Sequence, residues 1–291
     1  MPDGNHLELL LSLLLATVPL IDADVANEEV LGTVATRIVK DGESLIEIAR
    51  EHNVGFNAIA AANPGVDAFI PDEGTPVVIP TAWIVPRAAA PGTVVVNVSE
   101  MRLYLFPAAG GVPLSFPVGV GMEGWHTPVG TFSVVGKTAN PTWYPPASIR
   151  REDPELPAKV PPGPDNPLGT HALRLSRGSI LIHGTDRPYG VGRKASHGCI
   201  RLYPEDIPRL FELVPVKTRV TIVREPVKVG LRGGRVYVEV HEDPDAKVDL
   251  RKEAARLLSK RDLSSRVDAR RLESVIEERR GIPVDVSLEA V

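Results

Sequence analysis

The sequence predicts a mainly β protein: a β-sandwich or barrel-like domain, with a small βααβ unit before it and a short α-helical appendage after it. Two observations support this prediction. Short apolar runs separated by glycine and proline turns fill the middle of the chain, as in all-β domains. Apolar residues at helical spacing lie mostly before and after that region. With 291 residues, 43% of them hydrophobic, the chain can form more than one core.

The composition narrows the classes of function. The net charge is −4 at pH 7 and aromatic residues make up 5% of the chain, so no basic surface for nucleic acid is predicted. The single cysteine, Cys199, cannot form an intrachain disulfide, and in an exported protein it is a candidate reactive thiol. One cysteine and two histidines near it provide too few ligands for a zinc site, so we expect no metal and no cofactor.

Residues 1–26 are interpreted as a signal peptide. The leucine-rich run at 7–21 is shorter than the roughly 20 apolar residues of a membrane span, and small residues follow at Ala23 and Ala26. The positive residues that usually precede such a run are missing, which leaves a short amphipathic helix as the alternative. The run predicts export to the periplasm or cell envelope.

Residues 36–80 are predicted to form the compact βααβ unit. Ser44 and Glu47 have the spacing of a capping box at the start of one helix, and a second helix is expected near 57–62. Two short strands and a Pro/Ala-rich linker complete this part of the chain: 38–39, 77–79 and 81–92.

Residues 93–224 are predicted to be the β domain. Two alternating apolar runs suggest a hairpin, and further short runs suggest more strands. The hairpin and the further strands are expected at 93–98 and 102–106, then at 114–120, 130–135, 172–175, 180–182 and 220–223. A helix is expected from about 205 to 213, starting in an acidic segment that contains proline.

Residues 141–167 are polar, rich in proline and without periodicity. Loops of this length are uncommon and often functional. We expect this segment to form a wall or lid beside Cys199, and the alternative is a surface decoration.

Residues 225–291 are predicted to form a strand, at 236–240, and the helical appendage. Apolar residues recur at helical spacing among charged ones between Ala246 and Arg280, and Gly281 ends that pattern. A pair of amphipathic helices with a solvated outer face is expected. Docking of a partner is the alternative.

Cys199 and His183 have the clearest chemical potential. A thiol attacks as the thiolate, and a nearby imidazole can take its proton. His183 ends an apolar run and Gly184 follows it, so we expect the ring at the end of a buried strand. Gly198 lets the backbone approach a substrate, and its amide is a candidate donor to an oxyanion. An inert buried cysteine is the alternative from residue type alone.

Two segments together resemble the signature of L,D-transpeptidases with a YkuD-type catalytic domain: 182–185, Ile-His-Gly-Thr, and 196–202, Ser-His-Gly-Cys-Ile-Arg-Leu. The segments 143–146, 163–169 and 225–228 resemble a periplasmic branch of that family, which carries a LysM module and builds or attaches material to peptidoglycan. Residues 36–80 resemble the LysM module itself. His171 departs from the branch, in which an aromatic residue is expected.

The resemblance implies a cysteine-dependent acyltransferase. Cys199 is expected to be the nucleophile and His183 the general base and acid, with the carbonyl of Gly184 orienting its ring. His197 is a supporting residue, and Gly198 offers its backbone to the oxyanion.

Further candidates concern the binding of substrate. Arg201 and Arg193 are candidates for substrate carboxylates because a guanidinium fork matches a carboxylate, and a structural role is the alternative for Arg201. Ser196 and Thr185 are the other candidate substrate contacts, although a turn-capping role is the alternative for Ser196. The LysM resemblance implies glycan contacts at Gly42, Ser44, Asn63 and Pro64.

The implied partner is peptidoglycan. Cys199 is expected to attack the bond between diaminopimelate and D-Ala of a tetrapeptide stem, form a thioester, and pass the acyl group to an amine of a second stem or of an outer-membrane lipoprotein lysine. The alternatives are an L,D-carboxypeptidase, with water as acceptor, and a non-catalytic peptidoglycan-binding LysM protein. A papain-like protease places its cysteine before its histidine, which is the opposite order. Carbapenem β-lactams are expected to be covalent inhibitors.

Overall fold

The computed structural model describes residues 28–177 and 180–289. The signal peptide predicted for residues 1–26 lies outside the described residues. The α-helices in this part of the chain are α1 Leu45–Glu51, α2 Phe56–Ala62, α3 Ala147–Glu152, α4 Asp206–Leu213, α5 Leu250–Lys260 and α6 Ala269–Glu278. The strands are β1 Val30–Gly32, β2 Ala35–Ile38, β3 Pro76–Ile79, β4 Ala82–Ile84, β5 Thr93–Asn97, β6 Arg102–Leu105, β7 Leu114–Pro117, β8 Val120–Gly121, β9 Gly130–Ala139, β10 His171–Leu175, β11 Leu181–His183, β12 Lys194–Ser196, β13 Ile200–Arg201, β14 Arg219–Val223, β15 Val227–Arg232, β16 Arg235–Val240 and β17 Val284–Asp285. Of the helices described, none has the length and apolar character needed to cross a bilayer.

The N-terminal unit, residues 35–79, has the predicted strand–helix–helix–strand order. β2 pairs antiparallel with β3, and α1 and α2 share a core with them in which Leu45, Ile48 and Ile59 are buried. The capping box at α1 is present, since Ser44 Oγ accepts from the Glu47 amide and Glu47 Oε2 accepts from the Ser44 amide. The first helix therefore starts where the capping signal predicts.

The predicted linker at 81–92 contains a strand. β4 pairs antiparallel with β1, and neither strand is among the predicted elements. The amide of Ile84 donates to Glu239 at 2.6 Å, and its carbonyl accepts from Lys228 Nζ at 2.8 Å. Ala82 and Ile84 are buried, so this part of the segment is a packed element rather than a free connection.

The central domain, residues 93–224, is an eight-stranded sheet of order β13-β11-β10-β9-β14-β5-β6-β7 that curls until its ends meet. Beyond β7 the chain reaches Gly119, whose amide and carbonyl exchange hydrogen bonds with the backbone of Arg201 in β13. β8 pairs with β12 beside this junction. The barrel-like prediction is confirmed. The strand predicted at 114–120 is divided into β7 and β8 because the chain crosses there from one edge strand to the other.

The inner face of the curled sheet packs around a single apolar core. Side chains of β5, β6, β9, β10 and β14 contribute to it, and Ile182 and Ile200 join them from β11 and β13. Helix α4 packs on the same core through Ile207 and Leu210, which are fully buried. The helix has the extent that its acidic start and the proline after it predict.

The C-terminal unit, residues 225–289, contains more strands than predicted. β15 and β16 form a hairpin and β17 adds a third strand, while α5 and α6, the predicted helix pair, pack on this sheet around a separate core. Only β16 is among the predicted strands. Lys228 and Gly230 interrupt the apolar pattern of β15, and Lys228 is buried in spite of its charge.

A buried ionic network joins this unit to the central domain. The ammonium of Lys228 contacts the carboxylates of Glu100 and Glu239. His241 Nε2 donates to Glu239 Oε1 at 2.6 Å and lies 3.5 Å from Glu100 Oε2. These four side chains are at most 10% exposed, and a charge buried to this extent is costly unless it is paired.

Candidate active site

The predicted base is the last residue of β11, and the predicted nucleophile lies directly before β13. β11 and β13 run parallel, with Ile182 opposite Ile200 and His183 opposite Arg201. The two isoleucines point into the core. Because side chains alternate along a strand, His183 and Arg201 lie on the opposite face. Cys199, directly before β13, has a hydrogen bond with the Leu181 backbone of β11 and lies near enough to Arg201 for that charge to act on its thiol. The fold thus brings together residues from two separate sequence segments.

His183 is buried, with 3% of its surface exposed. Its Nδ1 lies 2.6 Å from the carbonyl oxygen of Gly184. Since a carbonyl can only accept, Nδ1 carries the proton and Nε2 is the basic nitrogen. Burial, together with the nearby charge of Arg201, lowers the pKa of His183 to about 3, although the hydrogen bond to Gly184 acts in the opposite direction. The ring is therefore neutral at pH 7 and able to accept a proton.

Cys199 is half-buried. Burial raises the pKa of its thiol, while a hydrogen bond with the Leu181 backbone and the charge of Arg201 act to lower it. The resting pair at pH 7 is thus a neutral thiol and a neutral imidazole. Arg201 favours negative charge at the sulfur and disfavours positive charge at the ring. We therefore expect proton transfer to accompany attack on a substrate rather than to precede it.

The Cys199 turn, residues 196–199, is held by its own side chains and by a neighbouring loop. Ser196 Oγ donates to the Cys199 carbonyl at 2.5 Å and accepts from the Gly198 amide at 3.2 Å. Thr127 Oγ1 donates to the Gly198 carbonyl at 3.1 Å. Gly198 has a φ of +99°, which only glycine adopts without strain. The engagement of its amide by Ser196 does not favour the oxyanion role predicted for Gly198.

His197 lies between two other segments at the surface. Its Nε2 is 3.0 Å from Glu152 Oε2, and its ring centroid is 5.1 Å from that of Trp125. Glu152 is the last residue of α3, inside the segment 141–167. Asn166 fastens the base of that segment, because its buried side-chain amide donates to three carbonyls within it. The segment thus reaches the Cys199 turn, as expected of a wall or lid.

Comparison with known proteins identifies the family. Residues 91–222 match the model described as YkuD, the L,D-transpeptidase catalytic domain. The chain is 40% identical over 263 residues to the probable L,D-transpeptidase YcfS of Escherichia coli K12, with 86% of this chain and 82% of that protein covered. The chain belongs to the L,D-transpeptidase family.

Other L,D-transpeptidases are similar to a comparable degree. The probable L,D-transpeptidase ErfK/SrfK of Salmonella typhimurium is 40% identical, covering 84% of this chain and 83% of that protein. The probable L,D-transpeptidase YbiS of Escherichia coli K12 is 45% identical, covering 66% and 64%. A solved structure of L,D-transpeptidase 3 from Mycobacterium tuberculosis, in complex with a faropenem-derived adduct, aligns at 16% identity over 53% of this chain and 75% of that chain, with a TM-score of 0.36.

This L,D-transpeptidase is therefore an enzyme of that family and not a papain-like protease. The match to YcfS covers 86% of the chain, whereas the catalytic-domain model covers residues 91–222 alone. The similarity must therefore include residues on both sides of the catalytic domain.

Three of the predicted substrate contacts are engaged within the L,D-transpeptidase itself. The guanidinium of Arg193 lies 3.6 Å above the ring of Phe56 in the N-terminal unit. Ser196 is 1% exposed and holds the turn, and Thr185 is 4% exposed and accepts from a backbone amide two residues further on. These contacts do not favour the roles predicted for them. Arg201 remains a candidate, because its charge acts on both Cys199 and His183.

The predicted glycan residues divide into two pairs. Gly42 and Pro64 are exposed. Asn63 is buried, and its side chain makes three hydrogen bonds to the backbone of α2 and β3, while Ser44 caps α1. The side chains of Asn63 and Ser44 therefore hold the unit together, and the glycan contacts expected of them stay a prediction. Phe69 lies in the same loop as Pro64 and is 60% exposed, and it was not among the predicted glycan contacts.

Glu100, Glu239 and His241 form the cluster of three possible metal ligands found in the described part of the chain. The ammonium of Lys228 contacts both carboxylates and supplies the positive charge that a cation would bring. The cluster belongs to the junction with the C-terminal unit and not to the face that carries Cys199.

Trp125, Thr127 and Glu152 contact the Cys199 turn but were not predicted. They belong to two segments that precede the turn by more than 40 positions in the sequence. No periodicity or residue spacing links them to the turn, and the only signal was the length of the aperiodic segment that contains Glu152.

Proposed function

We propose that this L,D-transpeptidase acts on the tetrapeptide stems of peptidoglycan through a thioester on Cys199. The observation that carries the proposal is the pairing of β11 with β13, which places a neutral His183 opposite Arg201, with Cys199 directly before β13. The thiol supplies the nucleophile and the imidazole takes its proton. The guanidinium favours the negative charge that develops during attack.

Acylation begins when the Cys199 sulfur attacks the carbonyl carbon of the third stem residue, meso-diaminopimelate. The thiol proton moves to Nε2 of His183 as the C–S bond forms. The bond from that carbon to the nitrogen of the terminal D-Ala then breaks, and His183 gives its proton to the leaving amine. The acyl group remains on Cys199 as a thioester, and the ring is neutral again.

Transfer repeats these steps in the opposite direction. An acceptor amine attacks the thioester carbonyl carbon and gives a proton to His183. The C–S bond breaks, and the leaving sulfur takes the proton back from the ring. The products are a new amide bond and the original thiol.

The acceptor determines the product. The amine of a second stem gives a 3–3 cross-link, a lipoprotein lysine gives an anchored outer-membrane protein, and water gives L,D-carboxypeptidase activity. The names of the relatives specify transfer between peptides, which supports an amine over water. Because peptidoglycan lies outside the inner membrane, the proposal includes export to the periplasm or cell envelope.

The N-terminal unit is proposed to be a LysM module, over residues 36–80, that binds the glycan strands. Its βααβ order and the exposed loops at Gly42 and Pro64 support this assignment. Exposed Phe69 offers an apolar ring on which a sugar can stack. We expect Phe69→Ser to reduce co-sedimentation with insoluble peptidoglycan. Equal sedimentation of the variant would remove Phe69 from glycan binding.

Turnover of a defined substrate tests the catalytic proposal. We expect the protein to release D-Ala from a disaccharide-tetrapeptide and, with an amine acceptor, to form the transfer product, both read by mass spectrometry. Cys199→Ala should release none while keeping the thermal midpoint of the parent protein. Release of D-Ala by Cys199→Ala would exclude Cys199 as the nucleophile.

The same chemistry predicts a covalent adduct with carbapenems. The amide of a β-lactam ring is attacked by the thiol as the stem carbonyl is, and opening of the ring leaves the whole inhibitor on the protein. Because Cys199 is the only cysteine, intact mass should show a single addition. Cys199→Ala should show no addition, and an adduct on that variant would place the reaction at another residue.

A further inference from the structure

The N-terminal unit contacts the central domain at the segment that leads into the Cys199 turn. The α2 helix begins after Gly55, which has no side chain to cap it. Instead, the amide of Phe56 donates to the carbonyl of Val191 at 3.3 Å, and that of Asn57 to the carbonyl of Gly192 at 3.1 Å. The first amides of a helix lack partners within it, so residues 190–193, here called the docking segment, supply the cap.

The two backbones approach each other directly at this contact. A Cβ on Gly55 would lie 2.8 Å from Cα of Gly192, and a Cβ on Gly192 would lie 2.2 Å from the amide nitrogen of Phe56. Neither position leaves space for a methyl group. The two backbones can therefore come this close only because neither Gly55 nor Gly192 has a side chain.

Arg193 continues the contact with its side chain. Its guanidinium carbon lies 3.6 Å from the ring centroid of Phe56 and 5.7 Å from that of Phe69. A guanidinium over an aromatic face is attracted by the electrons of the ring, more strongly where water is excluded. The last residue of the docking segment is thus held by two rings of the N-terminal unit.

The docking segment is connected to the nucleophile by a short, hydrogen-bonded path. The carbonyl of Arg193 accepts from the amide of Val120 at 3.0 Å, and β12 then pairs with β8 up to Ser196. Ser196 binds the backbone of both Gly198 and Cys199. A displacement of the docking segment is therefore transmitted to the Cys199 turn within a few residues.

The N-terminal unit also contacts the chain after the nucleophile. Tyr203 Oη donates to the carbonyl of Val54 at 3.1 Å, and Arg50 makes a two-pronged ion pair with Glu205, at 2.8 and 2.9 Å. The unit thus holds the chain on both sides of Cys199. Separate attachment of a glycan-binding module would require neither set of contacts.

We infer that the N-terminal unit is part of the catalytic framework, and that Gly55 and Arg193 are positioning residues that set the place of the Cys199 thiol. The inference rests on the proposed role of Cys199. It gives the unit a function in the transfer step itself, in addition to any binding of glycan.

The variant Gly55→Ala tests the inference, because residue 55 has an ordinary φ of −83° and only the collision with Gly192 opposes a methyl group. We expect kcat for D-Ala release to fall about tenfold with KM within about twofold, since small misplacements of reacting groups lower the rate more than binding. The rate of alkylation of Cys199 by iodoacetamide should change with it. The matched control is Gly190→Ala in the docking segment, where the nearest atom to a new Cβ is 3.9 Å away.

Arg193→Ala and Arg193→Lys provide a second, independent test. Arg193→Ala should lower kcat several-fold, and Arg193→Lys should restore part of it, because lysine keeps a cation over the Phe56 ring. Should Gly55→Ala fail to fold, the Arg193 pair decides the question.

The outcomes separate this inference from the proposed function. If Gly55→Ala folds and keeps the wild-type kcat and alkylation rate, the positioning role is overturned. If Gly55→Ala does not fold, wild-type values in Arg193→Ala overturn it. A lower thermal midpoint with unchanged kcat would show that the contact is structural only, which also contradicts the inference. Failure of the proposed function would appear elsewhere, as D-Ala release by Cys199→Ala, because alkylation of the single cysteine reports its position without turnover.

Discussion

Two imidazoles in this L,D-transpeptidase are buried to a similar extent, and their pKa values are shifted in opposite directions. His183 has the backbone carbonyl of Gly184 as its partner and the cation Arg201 nearby, and its pKa is lowered to about 3. For His241, burial alone would also lower the pKa, but hydrogen bonds to Glu100 and Glu239 outweigh it and raise the pKa. Burial does not by itself decide the charge of a histidine, and the partners do. The surroundings of His183 favour its neutral form, which can accept a proton, and those of His241 favour its protonated form.

Of the substitutions that test the different roles of His183 and His241, replacement of His183 should have the largest effect, and that effect is on catalysis. His183→Gln removes the proton acceptor, so we expect kcat/KM for D-Ala release to fall by about 10²- to 10⁴-fold. His241→Gln is the matched control, with kcat/KM within about twofold, because His241 belongs to the junction with the C-terminal unit. Steady-state kinetics at pH 7 checks both. Comparable losses in the two variants would contradict the division of roles.

Removing the cation beside His241 should have the next largest effect. Lys228→Met leaves two buried carboxylates with one imidazole, and breaking a buried ion pair by removing one partner costs about 3–5 kcal/mol. Urea unfolding measures this loss. Lys252→Met is the control, because Lys252 is 87% exposed and its ion pair with Asp249 is screened by solvent. A loss in Lys228→Met no larger than in the control would show that the network contributes little.

The two rings should also give the free energy of unfolding opposite slopes with pH. The folded-state pKa of His183 lies below the roughly 6.5 of an unfolded imidazole, so stability falls on acidification, by roughly 1.5–2 kcal/mol from pH 6.5 to pH 5. The raised pKa of His241 adds stability below its unfolded value, and this is lost as the pH rises through the folded value.

Urea unfolding from pH 5 to pH 8 checks the two slopes. His183→Gln should flatten the acid side relative to the parent protein, and His241→Gln should flatten the alkaline side. Subtracting the profile of the parent protein from that of each variant removes the contribution of other titrating groups. One such group is Asp206, because burial raises its pKa to about 6. Identical pH profiles in all three proteins would contradict the assignment of the slopes.

The contact of a third histidine, His197, with Glu152 should have the smallest effect on activity and stability. His197 is 20% exposed and its partner Glu152 is 51% exposed, so the pair contributes about 0.2–1 kcal/mol. We expect Glu152→Gln to change kcat/KM by no more than about fivefold, through a looser contact between segment 141–167 and the Cys199 turn. Glu155→Gln, an exposed change in the same segment, should have no effect. Deletion of 153–158 with unchanged turnover would show that the segment is not a lid.

Local patterns in the sequence predicted those features that depend on neighbouring residues. The capping box of Ser44 and Glu47 located α1, and the apolar run before His183, with Gly184 after it, placed that ring at the end of a buried strand. The strand β15 was not predicted because Lys228 interrupts its apolar pattern. The burial of Lys228 depends on carboxylates elsewhere in the chain, and one of them, Glu100, is more than one hundred positions away. Contacts set by tertiary topology leave no such local trace.

The same limit applies to the candidate site. Arg193 was predicted to bind a substrate carboxylate because its residue type suits one, and the structure places it over Phe56, in a unit that the sequence treated as separate. Asn63 and Ser44 were likewise chosen by their place in a motif, and their side chains serve the fold. A motif names positions, and only the surrounding atoms decide whether a side chain at such a position faces a ligand or its own backbone.

The bridge between Gly119 and Arg201 has a consequence for how an extended peptide can approach the nucleophile. Arg201 uses its amide and carbonyl with Gly119 on one side, and on the other side the amide of Leu202 donates to the carbonyl of His183. β13 therefore has no open edge, and a stem peptide cannot be recruited next to Cys199 as an added strand. Its selection must come from side chains above the sheet and not from the backbone of β13.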